Sequence, residues 1–345
     1  MEGDRRPRQA ESVTATLFLG RADVERLLTP AACQAAVEQA FRELAEGAIP
    51  PPAILAMHAE QGSFHVKAGL LTADRPYFAA KLNANFPGNG KRHGLPTIQG
   101  VVLLCDATNG VPLAIMDSIS ITALRTAAAS AVAAKYLARK DWKVLAVCGC
   151  GGQAEAHVMA MLSVARPERI VVYDLDAQRA AAFAQRMERR VGRPVRASTD
   201  IKSCVGEADV LVTCTTARKY FVTREMVRAG TFIAAIGADH EEKQEIEPAL
   251  LAACKLVTDV TAQAAAIGDL HHAVAAGLMS VDEVHGELGE VICGRKQGRV
   301  SEGEVIVFDS TGTGLQDAAA AIAAYRRALA ERAGIRLTLA EREEA

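Results

Sequence analysis

From Trp142 onward the chain keeps one rhythm. Short apolar, β-branched runs recur: "WKVLAVCG", "RIVVYDLD", "ADVLVTCTT", "GTFIAAIGAD", "CKLVTDV" and "VIVFDSTG". Most are separated by segments of helical composition, such as Ala180 to Arg190 and the shorter Pro248 to Ala253. Near-continuous apolar strands alternating with helices cannot tolerate a solvated face, so they predict a parallel sheet covered on both sides. In such a sheet, ligands bind in the crevice beyond the carboxyl ends of the strands. Polar residues that close the apolar runs are therefore the first candidates for function.

The first 140 residues follow another pattern. A helix is predicted from Pro30 to Glu46, followed by a proline break at "IPPP". The runs "SFHVKAGL", "YFAAKLNANF" and "TIQGVVLLCD" then read as strands, with turns at "PGNG" and "ATNG". This is the pattern of an α+β unit built largely on an antiparallel sheet. An alanine-rich helix from about Thr122 to Ala138 leads into the parallel sheet, and a last helix, about Gly314 to Ala333, is expected to pack back on the first unit. The expected fold class is α/β: a Rossmann-type domain, 129–312, inserted in an α+β domain made of 1–128 and 313–345.

The segment "VLAVCGCGGQAEAH" follows the strand–turn–helix template for a dinucleotide. Gly149, Gly151 and Ala154 occupy the G-x-G-x-x-G/A positions: a tight turn, a close approach of backbone to pyrophosphate, and close helix–strand contact. The helix start offers free N–H groups to phosphate. Asp174 closes the next strand roughly 20 residues on, where it can accept from ribose hydroxyls. No arginine follows it immediately, so NAD is expected, with NADH favoured over NADPH.

Composition narrows the class. The formal net charge is −2 with the signs interspersed, which argues against a nucleic-acid or membrane surface. The polar, basic start "MEGDRRPRQAES" does not read as a signal peptide, and no apolar run reaches the roughly 18 to 20 residues of a membrane helix. The eight cysteines include no CxxC pair and no zinc spacing. Cys148 and Cys214 read as reduced, buried thiols, and a cytoplasmic protein is expected. His271 and His272 in "GDLHHAV" diverge on a helix and lack an acidic partner, so no metal is expected. "LGEVICGRKQGR" reads as a solvated turn.

The run "GTFIAAIGAD" ends on Asp239, followed by "HEEKQEI". The residues alone leave open whether Asp239 is a solvated loop residue or an acid placed to move a proton.

Several separated segments together resemble one family. "AAKLNANFPGN", "GLPTIQGVVLLCDATNGVPLAIMDSISITALRTAAAS", "VCGCGGQAEAH", "GADHEEKQE" and "VIVFDSTGTGLQD" resemble, in order, the signatures of the ornithine cyclodeaminase/mu-crystallin family, with "ALRTAA" the most specific piece. The resemblance spans about residues 15 to 330. It implies a nicotinamide dinucleotide enzyme acting at the α-carbon of an amino or imino acid, and a homodimer formed through the sheets of the first domain. It implies that Lys81 holds the substrate carboxylate and faces the reacting centre. Arg125 would lie between substrate and cofactor, and Asp239 would be the catalytic proton carrier. Thr97, Thr126, Gly152, Gln153, Thr215, Ile236, Lys243 and Ser310 match cofactor-contacting positions, and Thr311 lies beside them toward the substrate.

Two departures separate the chain from cyclodeaminases. The arginine they carry near Ala53 or Ile54 is missing, and the acid that handles a distal amine is matched by His65 in "SFHVKAG". Lys67, two residues on, would share the face of His65 and replace the missing cation. His65 itself reads equally as a pocket residue or as a packed histidine. The leading expectation is a reductase of cyclic ketimines such as pyrroline-2-carboxylate or piperideine-2-carboxylate, reversible as an amino-acid dehydrogenase. The alternatives are an ornithine- or lysine-type cyclodeaminase, redox-neutral and releasing ammonia, and a catalytically idle mu-crystallin-like binding protein.

Overall fold

The computed structural model describes residues 15–339. The signal-peptide reading of the first dozen residues and the charged tail "EREEA" lie outside the described residues.

Two sheets organise the chain. The larger is parallel throughout, in the order Gly286–Glu287, Lys255–Thr258, Ile306–Asp309, Phe232–Ala235, Val210–Thr213, Val144–Cys148, Arg169–Tyr173, Val195–Ala197. Its central strands are buried along their whole length, as the unbroken apolar runs require. Each of the six apolar runs forms one strand of it. Helices Ala177–Val191 and Pro248–Ala253 occupy the two segments read as helical.

The second sheet has seven strands, in the order Ile335–Thr338, Ala15–Leu19, Pro112–Asp117, Ile98–Asp106, Tyr77–Asn85, Gly62–Leu71, Ala53–Ala59. All its pairings are antiparallel except that of Ala15–Leu19 with Pro112–Asp117. Helix Pro30–Ala45 starts where Thr29 Oγ1 accepts from Ala32 N and Pro30 fills the first helical position. It buries Cys33, Val37, Ala40 and Phe41, one apolar stripe at helical spacing.

The alanine-rich helix begins at Ser118, a turn earlier than the alanine run suggests, because the Asp117 carboxylate accepts from Ser120 N. It runs unbroken to Leu137, from one sheet to the other. The last helix, Gly314–Glu331, packs on Pro30–Ala45 and on strands Gly62–Leu71 and Tyr77–Asn85. It ends with Arg332 in the left-handed region, and a short edge strand follows. Its start is held very close to the second sheet: a Cβ on Gly69 would lie 2.9 Å from the Gly314 backbone, and one on Gly314 would overlap the Ala68 carbonyl. Only glycine at both positions permits that approach.

"LGEVICGRKQGR" divides. Leu288–Ile292 is a short helix burying Leu288, Val291 and Ile292, while Arg295 and Lys296 are exposed as expected of a solvated turn.

Candidate active site

The site is built on the inner face of the seven-stranded sheet. Strand register places Lys67 directly opposite Lys81 and His65 opposite Asn83. Period-2 alternation then puts His65, Lys67 and Lys81 on one face. The close approach of Gly314 sets the first turn of the last helix above them. Lys81 Nζ donates to Asp317 Oδ1 at 2.9 Å, and Arg125 Nε donates to the same oxygen at 2.9 Å. Arg125 Nη1 donates to Gln316 Oε1 at 2.8 Å. Lys67 Nζ donates to the Thr311 and Gly312 carbonyls at 2.9 and 2.7 Å. All three cations are buried.

One carboxylate between two cations shapes the titration of both sides. Burial works against the charged form of Asp317, but Lys81 and Arg125 prevail and hold its carboxyl below the usual range. Lys81 is lowered to about 7, first by burial and then by Arg125, with Asp317 only partly offsetting them. Arginine does not give up its proton, so the lysine is the member of the cluster that can. Burial and Arg125 lower Lys67 as well.

Asp239 follows the strand Phe232–Ala235 at its carboxyl end, and its half-exposed side chain takes an ion pair from Lys243 Nζ at 2.5 Å. Desolvation opposes its charge, yet Lys243, Lys67 and Arg125 hold its carboxyl below the ordinary value. It is therefore ionised at neutral pH, beside a cluster of cations. Chemically, such an arrangement can pair with an anionic group on the side of the cations and with a cationic one on the side of Asp239.

The dinucleotide loop adjoins this cluster in the fold. Gly149 has φ +98°, and a Cβ there would lie 2.8 Å from the Cys214 carbonyl. Cβ atoms on Gly151 and Gly152 would meet nothing within 4 Å, so the backbone is open to a ligand. Gln153 precedes helix Ala154–Val164, and its Oε1 is buried without a hydrogen-bond partner. Asp174 Oδ2 accepts from Cys150 N at 2.8 Å, which turns the carboxylate toward the loop. Open backbone N–H groups, an unpartnered acceptor and an acid on the neighbouring strand fit a dinucleotide. Ile236 and Ser310 extend two further strands of the same sheet: Ile236 N donates to the Thr213 carbonyl at 2.9 Å and Ser310 N to that of Ala235 at 3.0 Å.

Thr126 adjoins Arg125 on its helix, and its hydroxyl donates to the Thr122 carbonyl at 2.6 Å. Thr97 is exposed just before strand Ile98–Asp106, with its carbonyl taken by Phe86 N. Among the described residues it has no hydrogen bond to the rest of the site.

Sequence reasoning missed the acids beneath these groups. Asp317 closes the "VIVFDSTGTGLQD" segment and pairs with both Lys81 and Arg125, and Gln316 beside it accepts from Arg125. Asp259 Oδ2 accepts from Ser310 Oγ at 3.1 Å and Gly312 N at 2.7 Å, and Oδ1 accepts from Thr311 Oγ1 at 3.2 Å. Glu245 accepts from Thr213, Thr215 and Gly237, and burial raises its carboxyl. His272 Nε2 lies 2.8 Å from the Lys243 carbonyl and braces the Asp239 loop. Among the described residues, no three histidines, cysteines or acids are grouped to hold a metal. Among them, too, no helix is long and apolar enough to cross a membrane. All eight cysteines are free; Cys148 is buried and Cys214 partly so.

The model of the ornithine cyclodeaminase/mu-crystallin family matches residues 14–332. The chain belongs to that family. An alanine dehydrogenase of Archaeoglobus fulgidus is 38% identical over 322 residues, covering 93% of this chain and 98% of the relative. A solved archaeal alanine dehydrogenase dimer with bound NAD superposes with a TM-score of 0.90 at 37% identity, covering 94% of this chain and 99% of the other. The Thermococcus litoralis Δ1-pyrroline-2-carboxylate reductase, solved with NADH and L-proline, gives 0.88 at 32% identity, covering 93% and 99%.

Within the family, the departures noted in the sequence acquire positions. Ile54 is the cross-strand partner of Lys67. Ala56 is the partner of His65, and His65 shares its face with Lys67 as the alternation requires.

Proposed function

We propose that this chain is an NAD-dependent oxidoreductase acting at the α-carbon of a small amino or imino acid. It reduces imines, cyclic ketimines of the pyrroline-2-carboxylate or piperideine-2-carboxylate type among them, and in reverse oxidises the amino acid. The observation that carries this reading is a buried Lys81–Arg125–Asp317 cluster facing an ionised Asp239 across the crevice beside the dinucleotide loop. The bound dinucleotide would supply the hydride. Lys81 and Arg125, supported by Lys67, hold the α-carboxylate. Asp239 faces the nitrogen: it stabilises a cationic imine in the reductive direction and takes the amine's proton in the oxidative one. Thr311 and Ser310, fixed by Asp259, border the same crevice. The relatives named above act on substrates of this class, and two solved ones hold NAD or NADH.

NADH is preferred to NADPH on the same reading. The Asp174 carboxylate would repel a ribose phosphate. Arg179, at 3.8 Å from Asp174 Oδ1, is committed to that acid rather than standing free. The division into 129–312 and 1–128 with 313–345 is likewise proposed, supported by the partition of the strands between the two sheets.

The test couples cofactor and nitrogen. Pyrroline-2-carboxylate and piperideine-2-carboxylate are expected to oxidise NADH stoichiometrically, at higher kcat/KM than NADPH, without ammonia release. L-Ornithine or L-lysine converted to a cyclic product and ammonia, with no net change in NADH, would instead establish the cyclodeaminase.

We propose a homodimer through the outer face of the seven-stranded sheet. Phe64, Leu82 and Val101 project there from three adjacent strands, each about 40% exposed, beside the more exposed Leu55 and Met57. A contiguous apolar face of this kind marks an interface. Light scattering on the purified protein is expected to give twice the 36.5 kDa chain mass. A monomer that stays a monomer at micromolar concentration would remove the proposal.

A further inference from the structure

Behind the cations the chain turns over residues 310–312, just after strand Ile306–Asp309. The Thr311 and Gly312 carbonyls take two of the three N–H groups of the Lys67 ammonium. Gly312 has φ +72°, and a Cβ there would overlap Arg125 Nη1, so the turn also lies directly against the guanidinium. The third N–H of Lys67 and the Nη2 group of Arg125 have no hydrogen-bond partner among the described residues. These are donors left for an anion, and both belong to side chains that rest on the turn.

Two polar side chains hold the turn from behind. Asp259, fully buried, follows strand Lys255–Thr258. Its Oδ2 accepts from Ser310 Oγ, Gly312 N and, at 3.5 Å, Gln316 Nε2. Its Oδ1 accepts from Val260 N at 2.8 Å and from Thr311 Oγ1. Each of these neighbours is a donor, so both oxygens must accept. Gln316 presents the other end of its amide to Arg125 Nη1, so Asp259 touches both the turn and the residue that receives the arginine. Gln263, on helix Thr261–Ile267, donates from Nε2 to Thr311 Oγ1 at 2.8 Å and to the Gly312 carbonyl at 2.9 Å. Its orientation is fixed, because the Gly312 carbonyl can only accept and Thr311 gives its one hydroxyl hydrogen to Asp259. That same Gly312 carbonyl takes Lys67, which leaves a single oxygen between Gln263 and the ammonium.

We propose that Asp259 and Gln263 are positioning residues for substrate capture: they fix the 310–312 turn, and the turn aims the free donors of Lys67 and Arg125 at the α-carboxylate. This rests on the oxidoreductase reading above and adds to it two residues that do not themselves touch the substrate. A buried ammonium bonded only to carbonyls keeps its charge uncompensated, and an arriving carboxylate completes its shell with a charge-assisted hydrogen bond. Such a bond is directional, so a shifted turn loses it while the positive charge stays in place. Burial and Arg125 weigh against the charge on Lys67, whereas Asp239, Asp317 and Asp259 weigh for it. The acid that shapes the turn therefore also favours the charge the turn presents.

Two substitutions act on the turn with different force. Asp259→Asn keeps the shape of the side chain, but an amide NH2 would face donors on whichever side it took, so hydrogen bonds to the turn or to Val260 are lost. Gln263→Leu removes the two N–H bonds to the turn and no other side-chain hydrogen bond among the described residues. Thr311 then stays bonded to Asp259, and Lys67 to Gly312, so the turn is loosened rather than unmade.

The experiment compares NADH oxidation with pyrroline-2-carboxylate and with 1-pyrroline, the same ring without the carboxylate. The wild type is expected to favour the carboxylate by at least about a hundredfold in kcat/KM, the worth of two charge-assisted hydrogen bonds. That preference is expected to fall at least about tenfold in Asp259→Asn and about threefold to tenfold in Gln263→Leu, chiefly through KM for the carboxylate. NADH binding, read by fluorescence, persists in Gln263→Leu and reports a folded site, so that variant decides alone if Asp259→Asn does not fold. A side chain that only supported the fold would lower turnover of both imines alike. A wild type indifferent to the carboxylate, or a preference that neither folded variant changes, therefore overturns the positioning role and leaves the oxidoreductase reading intact. A wild type that oxidises NADH with neither imine overturns both.

Discussion

Asp317→Ala is expected to lower the free energy of unfolding by about 3–5 kcal/mol, the range for removing one partner of a buried ion pair. The Asp317 side chain is 1% exposed, and it is the carboxylate in contact with Lys81 and Arg125, themselves 4% and 5% exposed. Its loss strands two positive charges with no water to solvate them. Urea unfolding with an unchanged slope measures the effect. Adding Lys81→Met removes one stranded charge, so the double variant should be destabilised by less than the sum of the singles. A loss below about 1 kcal/mol, as for a surface pair, or strict additivity, would show that the cluster is not an electrostatic unit. The pH dependence has a definite sign. Asp317 titrates lower in the folded chain than in the unfolded one. Its contribution is therefore present above about pH 4 and lost as pH falls through the depressed folded value. Lys81, lowered to about 7, acts in a different window. Between about pH 7 and its unfolded value near 10.4 the unfolded chain binds more protons, and stability from this group rises with pH.

The legible parts of the fold were those written in local pattern. Runs such as "VLAVC" and "FIAA" are apolar throughout because both faces of their sheet are covered, and each became a strand. The glycine template was legible because Gly149 needs a left-handed φ that other residues resist. Strands Ala15–Leu19, Ala53–Ala59 and Ile335–Thr338 were not read as strands. The first pairs in parallel with a strand almost a hundred residues away, the third closes an edge, and every residue of the second is exposed, so no apolar alternation marks it.

In the site, residue type announced Lys81, Arg125 and Asp239 only together with the family resemblance. What no spacing could announce was which acid each cation would meet. Asp317 reaches Lys81 and Arg125 because Gly69 and Gly314 let a helix start press on a strand far away in sequence. Asp259 and Glu245 are buried acids that fasten loop hydroxyls and backbone N–H groups. From the sequence alone they look like surface charge.

Asp239→Asn is expected to reduce kcat by about 10²–10⁴, the contribution of a positioned proton-transfer group, while KM changes much less. The amide keeps the size of the side chain and can still accept from Lys243, so the loop should hold its shape; what is lost is the charge proposed to take the amine's proton. Because Lys243, Lys67 and Arg125 hold the Asp239 carboxyl below its ordinary value, the wild type should show no limb from this group anywhere above pH 4. The limb that remains belongs to Lys81. Its ammonium is present below about 7 and lost above, so kcat/KM, which reports the free protein, should fall as pH rises through that value. Lys81→Arg keeps a permanent charge and should abolish the fall while losing some fit at the carboxylate. The two variants therefore separate proton transfer from anchoring. If Asp239→Asn costs less than tenfold in kcat, the proton moves by another group. Lys81, buried with its proton poised near neutrality, is then the one the structure offers, and its arginine variant should be the one that stops the reaction.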